Sequence, residues 1–263
     1  MTNEAKVVID QAYRHLLQAE ERRQMVAPLT DIYPHLTVDD AYQIQLKGIA
    51  RKLGEGRQIV GKKIGLTSVA MQELLGVDQP DYGHLLDHME VSNRGMIPVS
   101  SLFQPKAEAE IAFVLHTDLK GPSVTVEDVL NATEYIVPAL EIVDSRITDW
   151  TIKLEDTIAD NASSGLFVLG NETFSAKEMD LTKVTMDLLR NGQFINSGSG
   201  SAVLGNPAAC VAWLANALHD YGVRLEAGEV ILSGALSAAI AVQQGDRVTA
   251  DFHHLGTVEV TFI

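Results

Sequence analysis

Gln104-Pro105-Lys106-Ala107-Glu108-Ala109-Glu110-Ile111-Ala112-Phe113-Val114-Leu115 is the stretch on which the fold turns. From Ala107 to Leu115 every residue except the two glutamates is apolar, and the closing Phe113-Val114-Leu115 favours a strand. Side chains alternate across a strand. Glu108 and Glu110 therefore share a face with Ala112 and Val114, while Ala107, Ala109, Ile111, Phe113 and Leu115 take the other. Both faces are mostly apolar, which predicts a strand covered on both sides. Two carboxylates at its entrance would then repel each other in a poor solvent.

A second such run follows in Tyr135-Ile136-Val137-Pro138-Ala139-Leu140-Glu141-Ile142-Val143, where Glu141 stands alone among apolar residues. Three partly buried glutamates are costly to keep ionised unless a positive group neutralises them, and a divalent cation does so better than a lysine. An all-oxygen ligand set points to a hard ion, Mg2+ or Mn2+, with positions left for water or substrate. The competing reading places Glu108 and Glu110 in solvent on an edge strand, against which the apolar continuation of both faces weighs.

A chain of 263 residues can bury one large core or two small ones. Its formal net charge of −15 argues against nucleic-acid or anionic-membrane partners, since phosphate recognition needs clustered Lys and Arg. A small molecule or another copy of the chain is the expected partner. The single cysteine, Cys210, excludes an internal disulfide and Cys-rich zinc sites, and its helical surroundings, Val211 and Trp213, predict a packed thiol. Met1 to Lys6 has no basic-then-apolar signal pattern, and no run reaches the length of a membrane span, so a soluble cytoplasmic protein is expected.

Val8, Ala12, Leu16 and Ala19 at helical spacing predict a helix from about residue 4 to 25. A second begins at Thr37, with Asp40 three residues on, and runs through Ala41, Ile44 and Ile49 to Gly54 and Gly56. These define an amino-terminal helical segment, residues 1–58, ahead of a unit spanning 59–263. Ile59 to Ser68 reads as a strand leaving through glycine into a helix capped by Thr67 or Ser68 and ended near Gly76, and one of Lys62 and Lys63 must then face inward. Val77 to Gly83 reads as a turn-rich loop in which Asp78 and Asp81 either cap and turn or carry chemistry.

Farther on, Thr125 with Asp128 caps a short helix to Ala132, and Arg146 is expected to pair with Asp144. Asp156 to Gly165, dense in small polar residues, either turns donors towards an anionic ligand or closes a tight loop on itself. Asn191-Gly192 signals a hairpin, and Ser197 to Ser201 lacks the spacing of a phosphate loop. Asn206-Pro207 opens a helix that Gly222 ends, and strands at 230–234, 240–242, 247–252 and 257–263 follow. Helices early and strands late predict an α+β protein.

Pro105 to Phe113, Pro138 to Arg146 and Asp156 to Ser163, three motifs in order, together resemble the 2-hydroxypenta-2,4-dienoate (2-keto-4-pentenoate) hydratases of the fumarylacetoacetate hydrolase superfamily, which act in meta-cleavage degradation of aromatic compounds. The resemblance covers nearly the whole chain. It implies a mixed β-roll or sandwich core behind the helical segment and a Mg2+ or Mn2+ site from Glu108, Glu110 and Glu141. It also implies homo-oligomers, from dimers to decamers. The 4-oxalocrotonate decarboxylases are similar, but carry an apolar residue where this chain has Asp81 in Asp78-Gln79-Pro80-Asp81-Tyr82-Gly83. A hydratase of the longer 2-oxo-hept-4-ene-1,7-dioate shares that aspartate. Acylpyruvate hydrolysis and a catalytically silent subunit are more distant alternatives. On the hydratase reading Lys63 works near the C2 oxygen or C3 of the substrate and Asp81 near the water that attacks C4. Ser163, Ser233 and the backbone of Gly234 are then expected to hold the substrate carboxylate.

Overall fold

The computed structural model describes residues 3–68, 72–73 and 76–263. Helices α1 (Asn3–Arg22), α2 (Leu29–Ile32) and α3 (Val38–Gly54) come first. The start of α3 follows from its sequence: Thr37 Oγ1 accepts the Asp40 N–H at 3.2 Å, and the Asp40 carboxylate accepts the Thr37 N–H at 3.2 Å. The strands are β1 (Ile59–Gly65), β2 (Asp81–Leu86), β3 (Glu90–Val91), β4 (Met96–Ile97), β5 (Lys106–Leu115), β6 (Thr133–Val143) and β7 (Ser164–Leu169). They continue with β8 (Thr185–Arg190), β9 (Gln193–Ser199), β10 (Val230–Ala235), β11 (Ile240–Ala241), β12 (Arg247–Phe252) and β13 (Gly256–Phe262). Among the described residues, helices α4 (Val126–Ala132), α5 (Leu154–Ala159) and α6 (Pro207–His219) lie between strands.

Among the described residues two sheets form, one in the order β2-β1-β10-β5-β6-β7-β3 with β11 added along β5, the other in the order β4-β13-β12-β8-β9. Strand β5 sits inside the first, antiparallel to β10 and β6. Its two faces belong to two apolar clusters: Ala107, Ala109, Ile111, Phe113 and Leu115 join the large core, while Ala112 joins Leu85, Val137, Ala139, Phe167 and Leu232. The expected covering on both sides is therefore present, and this α+β architecture confines the glutamates. Residues of α1 and α3, such as Ile9, Leu16 and Ile44, enter the same large core as the sheets.

The hairpin between β8 and β9 has φ of 56° at Asn191 and 77° at Gly192, the paired positive values a tight hairpin turn needs. Asn206 caps α6 by accepting the Ala208 N–H at 3.0 Å. The 200–219 stretch is apolar enough by length and composition to cross a membrane, an exception to the sequence expectation, but it is half buried. Cys210, Val211, Leu214 and Leu218 are enclosed by the core, which makes α6 a core helix. Burial pushes the Cys210 thiol up, consistent with a packed group.

Three local expectations change. Asp81, Tyr82 and Gly83 are not loop residues but open β2, because Asp81 pairs Gly65 and Gly83 pairs Lys63. Lys62 and Lys63 are both buried, since β1 is covered on both faces; Lys62 Nζ lies 2.5 and 2.8 Å from the two Glu229 oxygens. Arg146 pairs with Asp160 rather than Asp144, whose carboxylate instead accepts the N–H groups of Phe103 and Gln104. The helix expected between Thr67 and Gly76 falls largely on residues 69–71 and 74–75, outside the described residues.

Candidate active site

Register alone gathers the three glutamates. Glu108 and Glu141 lie directly opposite each other across β5 and β6, and Glu110 pairs Ala139 one pleat along. Same-face neighbours in an antiparallel pair have Cβ atoms about 4.5–5.5 Å apart, so the carboxylates converge. One carboxylate oxygen from each residue lies within 4.8 Å of the other two.

Glu110 and Glu141 are buried, and Glu108 is partly exposed at the mouth. Burial pushes Glu108 up to about 7, and the Glu141 charge adds to it. Burial raises Glu110 too, with Glu141 and Glu108 repelling it, and raises Glu141 against the pull of Lys63. Glu110 Oε1 and both Glu141 oxygens receive no hydrogen bond. Lys63 Nζ stands 3.2 Å from Glu141 Oε1, bringing charge without a well-directed hydrogen bond. Buried carboxylate oxygens without donors are expensive, and a hard divalent cation satisfies three at once. The donor set fits Mg2+ or Mn2+.

The remaining oxygen, Glu110 Oε2, accepts the Gly234 N–H at 2.7 Å. Gly234 sits where β10 breaks register between Leu232 and Ala235, with φ of 113°. A Cβ there would lie 2.3 Å from Thr67 Oγ1, so only glycine fits. The Ser233 hydroxyl, fully buried, donates to the Ile111 carbonyl at 2.8 Å. Of the groups expected to hold a substrate carboxylate, Ser233 donates its hydroxyl to the Ile111 carbonyl and Gly234 donates its N–H to Glu110 in this structure.

Lys63 and Asp81 stand on neighbouring strands, since Lys63 pairs Gly83 and Gly65 pairs Asp81. Lys63 is 3 % and Asp81 2 % exposed, so their charges face each other without solvent screening. Burial pulls the Lys63 ammonium down, but Glu141, Asp81, Glu108 and Glu110 together outweigh it and hold the ammonium above its ordinary range. Burial pushes the Asp81 carboxyl up, against Lys63 and a hydrogen bond from the Thr157 hydroxyl. Asp81 Oδ1 has no hydrogen-bond partner. Asp78, the other acid of that run, is exposed outside the cluster.

Ser163 is buried with its Oγ 3.3 Å from Thr157 Oγ1. It ends a left-handed turn in which Asn161, Ala162 and Ser163 have φ of 55°, 50° and 54°. Non-glycine residues there carry strain of order 1–3 kcal/mol each, and several bonds hold them. Arg146 donates to the Ser164 carbonyl at 2.9 Å and to the side chain and carbonyl of Asp160, while Ser164 Oγ donates to the Asn161 carbonyl at 2.7 Å. Asp156 to Gly165 is thus a short helix followed by a braced turn. Thr157 and Gly65 were not singled out from the sequence. The signal for Thr157 was its place in that polar run, and the signal for Gly65 was a glycine within a strand pattern.

A cleft between α1, α3 and β2 is lined by Tyr13, Leu16, Ile44, Gly48 and Leu86, among others. It contains none of Glu108, Glu110, Glu141, Lys63 and Asp81, and is not this site.

Comparison with known proteins bears on the chemistry. Residues 88–263 match the family model described as the fumarylacetoacetate (FAA) hydrolase C-terminal domain. The chain is 46 % identical over 259 residues to a 2-hydroxyhexa-2,4-dienoate hydratase of Comamonas testosteroni, covering 98 % of each chain. It is 48 % identical over 253 residues to a 2-keto-4-pentenoate hydratase of Paraburkholderia xenovorans (strain LB400), covering 96 % of this chain and 94 % of the other. Among solved structures, the 4-oxalocrotonate decarboxylase of Pseudomonas putida G7 complexed with magnesium and adipate superposes with a TM-score of 0.95 at 37 % identity, covering 100 % of this chain and 99 % of that one.

Proposed function

This chain is a member of the fumarylacetoacetate hydrolase family, and we propose that it is a hydro-lyase adding water to 2-hydroxypenta-2,4-dienoate to give 4-hydroxy-2-oxopentanoate. The observation that carries this reading is the buried Asp81 beside Lys63, with one carboxylate oxygen free of partners. Hydration requires a group that takes a proton from water, and decarboxylation of a 2-oxo diacid does not.

Glu108, Glu110 and Glu141 would hold the divalent cation, which when bound acts as a Lewis acid and template for the C2 oxygen and carboxylate of the substrate. The protein's own groups carry the proton movements. The C2 hydroxyl gives up its proton and C5 gains one, converting the dienol to a 2-oxo-3-enoate, and Lys63 faces the C2 oxygen, where negative charge develops when water then adds at C4. Asp81, with its carboxyl raised by burial, is a stronger base than a solvated carboxylate and takes a proton from the water that attacks C4. A proton is then delivered to C3, and water has been added across C3 and C4. The braced 161–163 turn holds Ser163 Oγ 3.3 Å from the hydroxyl of Thr157, the residue that bonds Asp81, and Ser163 is the candidate for the substrate carboxylate whose hydroxyl is not given to a backbone carbonyl.

The relatives named above act on dienoates with five and six carbons, so the C5 substituent is hydrogen or methyl in this reading. A cytoplasmic homo-oligomer serving meta-cleavage degradation of aromatic compounds, with no nucleic-acid or membrane partner, completes it. The test is the ultraviolet decay of 2-hydroxypenta-2,4-dienoate with and without EDTA. Decay that EDTA abolishes and Mg2+ or Mn2+ restores is expected; no decay under any metal refutes the proposal. The structural likeness to the 4-oxalocrotonate decarboxylase favours a second reading, and CO2 release from 2-oxo-hex-3-enedioate would select it.

A further inference from the structure

Strand β2 is the edge of its sheet, so the outward carbonyls and N–H groups of Tyr82 and His84 need partners from outside the ladder. Two side chains supply them. Asn161 Oδ1 accepts the His84 N–H at 2.8 Å, and its Nδ2 donates to the His84 carbonyl at 2.9 Å. Gln45 of α3, 2 % exposed, donates from the same Nε2 to the Tyr82 carbonyl at 3.0 Å and the Ile158 carbonyl at 2.9 Å. Its Oε1 lies 3.0 Å from His84 Nδ1.

The amide can point only one way, because a flip would set Oε1 against two carbonyl oxygens. His84 Nδ1 must then carry the proton it donates to Gln45. Burial and the Lys62 charge hold His84 down to about 4, so the ring is neutral with that one tautomer fixed. Both polar atoms of the Gln45 amide are satisfied, and the two carbonyls that Nε2 meets belong to Tyr82 and Ile158, which directly follow Asp81 and Thr157 in the chain. Helix α2 of the amino-terminal segment holds α5 as well: Asp156 accepts the Thr30 N–H at 3.0 Å and the Thr30 hydroxyl at 2.8 Å.

We propose that Gln45 is a positioning residue, fixing the strand that bears Asp81 against the helix that bears Thr157 so that the Thr157 hydroxyl meets the Asp81 carboxylate. The amino-terminal helices thereby set the geometry of a site whose other groups lie in the sheets, α5 and the 161–163 turn. Gln45 touches no substrate and acts through Asp81. The proposal rests on the role given to Asp81 above.

The experiment compares Gln45→Met, Gln45→Glu, Asp81→Asn and the double variant Gln45→Met/Asp81→Asn, each as purified full-length protein with Mg2+. Gln45→Met keeps the size but leaves two carbonyls unpaired, and displacement at the reacting groups should lower kcat by about 10- to 100-fold. KM and Mg2+ affinity should stay within about twofold. Gln45→Glu, whose buried carboxyl keeps one O–H donor when protonated, should fall between the wild type and Gln45→Met. In the double variant the Gln45 change should lower kcat no further than Asp81→Asn alone, because both remove the same function. A merely structural Gln45 would lower the melting temperature and leave kcat per folded molecule unchanged, which overturns the proposal, as does a fully additive double variant. If Gln45→Met does not fold, wild-type kcat in Gln45→Glu overturns it by itself. Full turnover in Asp81→Asn would instead remove the reading of Asp81, and this inference with it.

Discussion

Gly65→Ala separates catalysis from folding. A Cβ at residue 65 would lie 2.2 Å from Asp81 Oδ1, 3.3 Å from its Cγ and 3.6 Å from Lys63 Nζ. Carbon–oxygen contacts settle near about 3.3 Å, so Asp81 must retreat by about 1 Å. Displacing a reacting group by that much costs about a hundredfold in rate, or about 2.7 kcal/mol of transition-state stabilisation. The atom met is the end of a side chain and not backbone, so the cost in folding stays near the low end of the roughly 1–3 kcal/mol typical of overpacking. The assay is dienoate decay at saturating Mg2+, with a melting curve on the same sample. The expected result is kcat about a hundredfold lower, unchanged Mg2+ affinity and a melting temperature lower by a few degrees. Gly61→Ala is the contrast: its Cβ would lie 1.9 Å from the Val230 carbonyl oxygen on the paired strand, so folding fails first. Wild-type kcat in Gly65→Ala would refute the placement of Asp81 at the reacting atoms.

Asp81→Asn should slow hydration steeply with metal binding intact, measured as kcat beside a Mg2+ titration. Glu108→Gln should abolish most of the metal affinity while leaving the metal-free protein at least as stable, because it removes one of three mutually repelling carboxylates. In the wild type, Mg2+ at a hundred times its Kd should add about 2.7 kcal/mol, raising the melting temperature by roughly 5–10 °C, and EDTA should reverse it. His84 gives a pH dependence. Its folded pKa of about 4 lies below the ordinary value of 6.5, so its contribution is fully present above pH 6.5 and is lost as pH falls towards 4. That amounts to about 3 kcal/mol at order of magnitude. Urea unfolding from pH 7 to pH 4 should show this loss in the wild type and a flatter profile in His84→Gln.

The carboxylate trio was legible in the sequence because its signal is local: glutamates inside apolar runs, with strand alternation fixing their faces. The capping residues Thr37, Thr125 and Asn206 and the Asn191-Gly192 turn were legible for the same reason. What failed depended on distant pairing. Asp81 looked like a loop residue because Asp78 to Gly83 is rich in turn formers, and only its partner Gly65 on β1 makes it a strand. Arg146 had two carboxylates within reach, and the left-handed turn at 161–163 brings Asp160 to it. Lys62 and Lys63 could both be buried only because Glu229 and Glu141, far along the chain, meet them. Gln45 left a faint trace, a polar residue on the buried stripe with Ala41, Ile44 and Ile49.

A crystal soaked in Mn2+ and measured for anomalous scattering tests the central claim most directly. The account predicts one strong peak about 2 Å from oxygens of Glu108, Glu110 and Glu141 together. A peak elsewhere, or none there at saturating Mn2+, would contradict it.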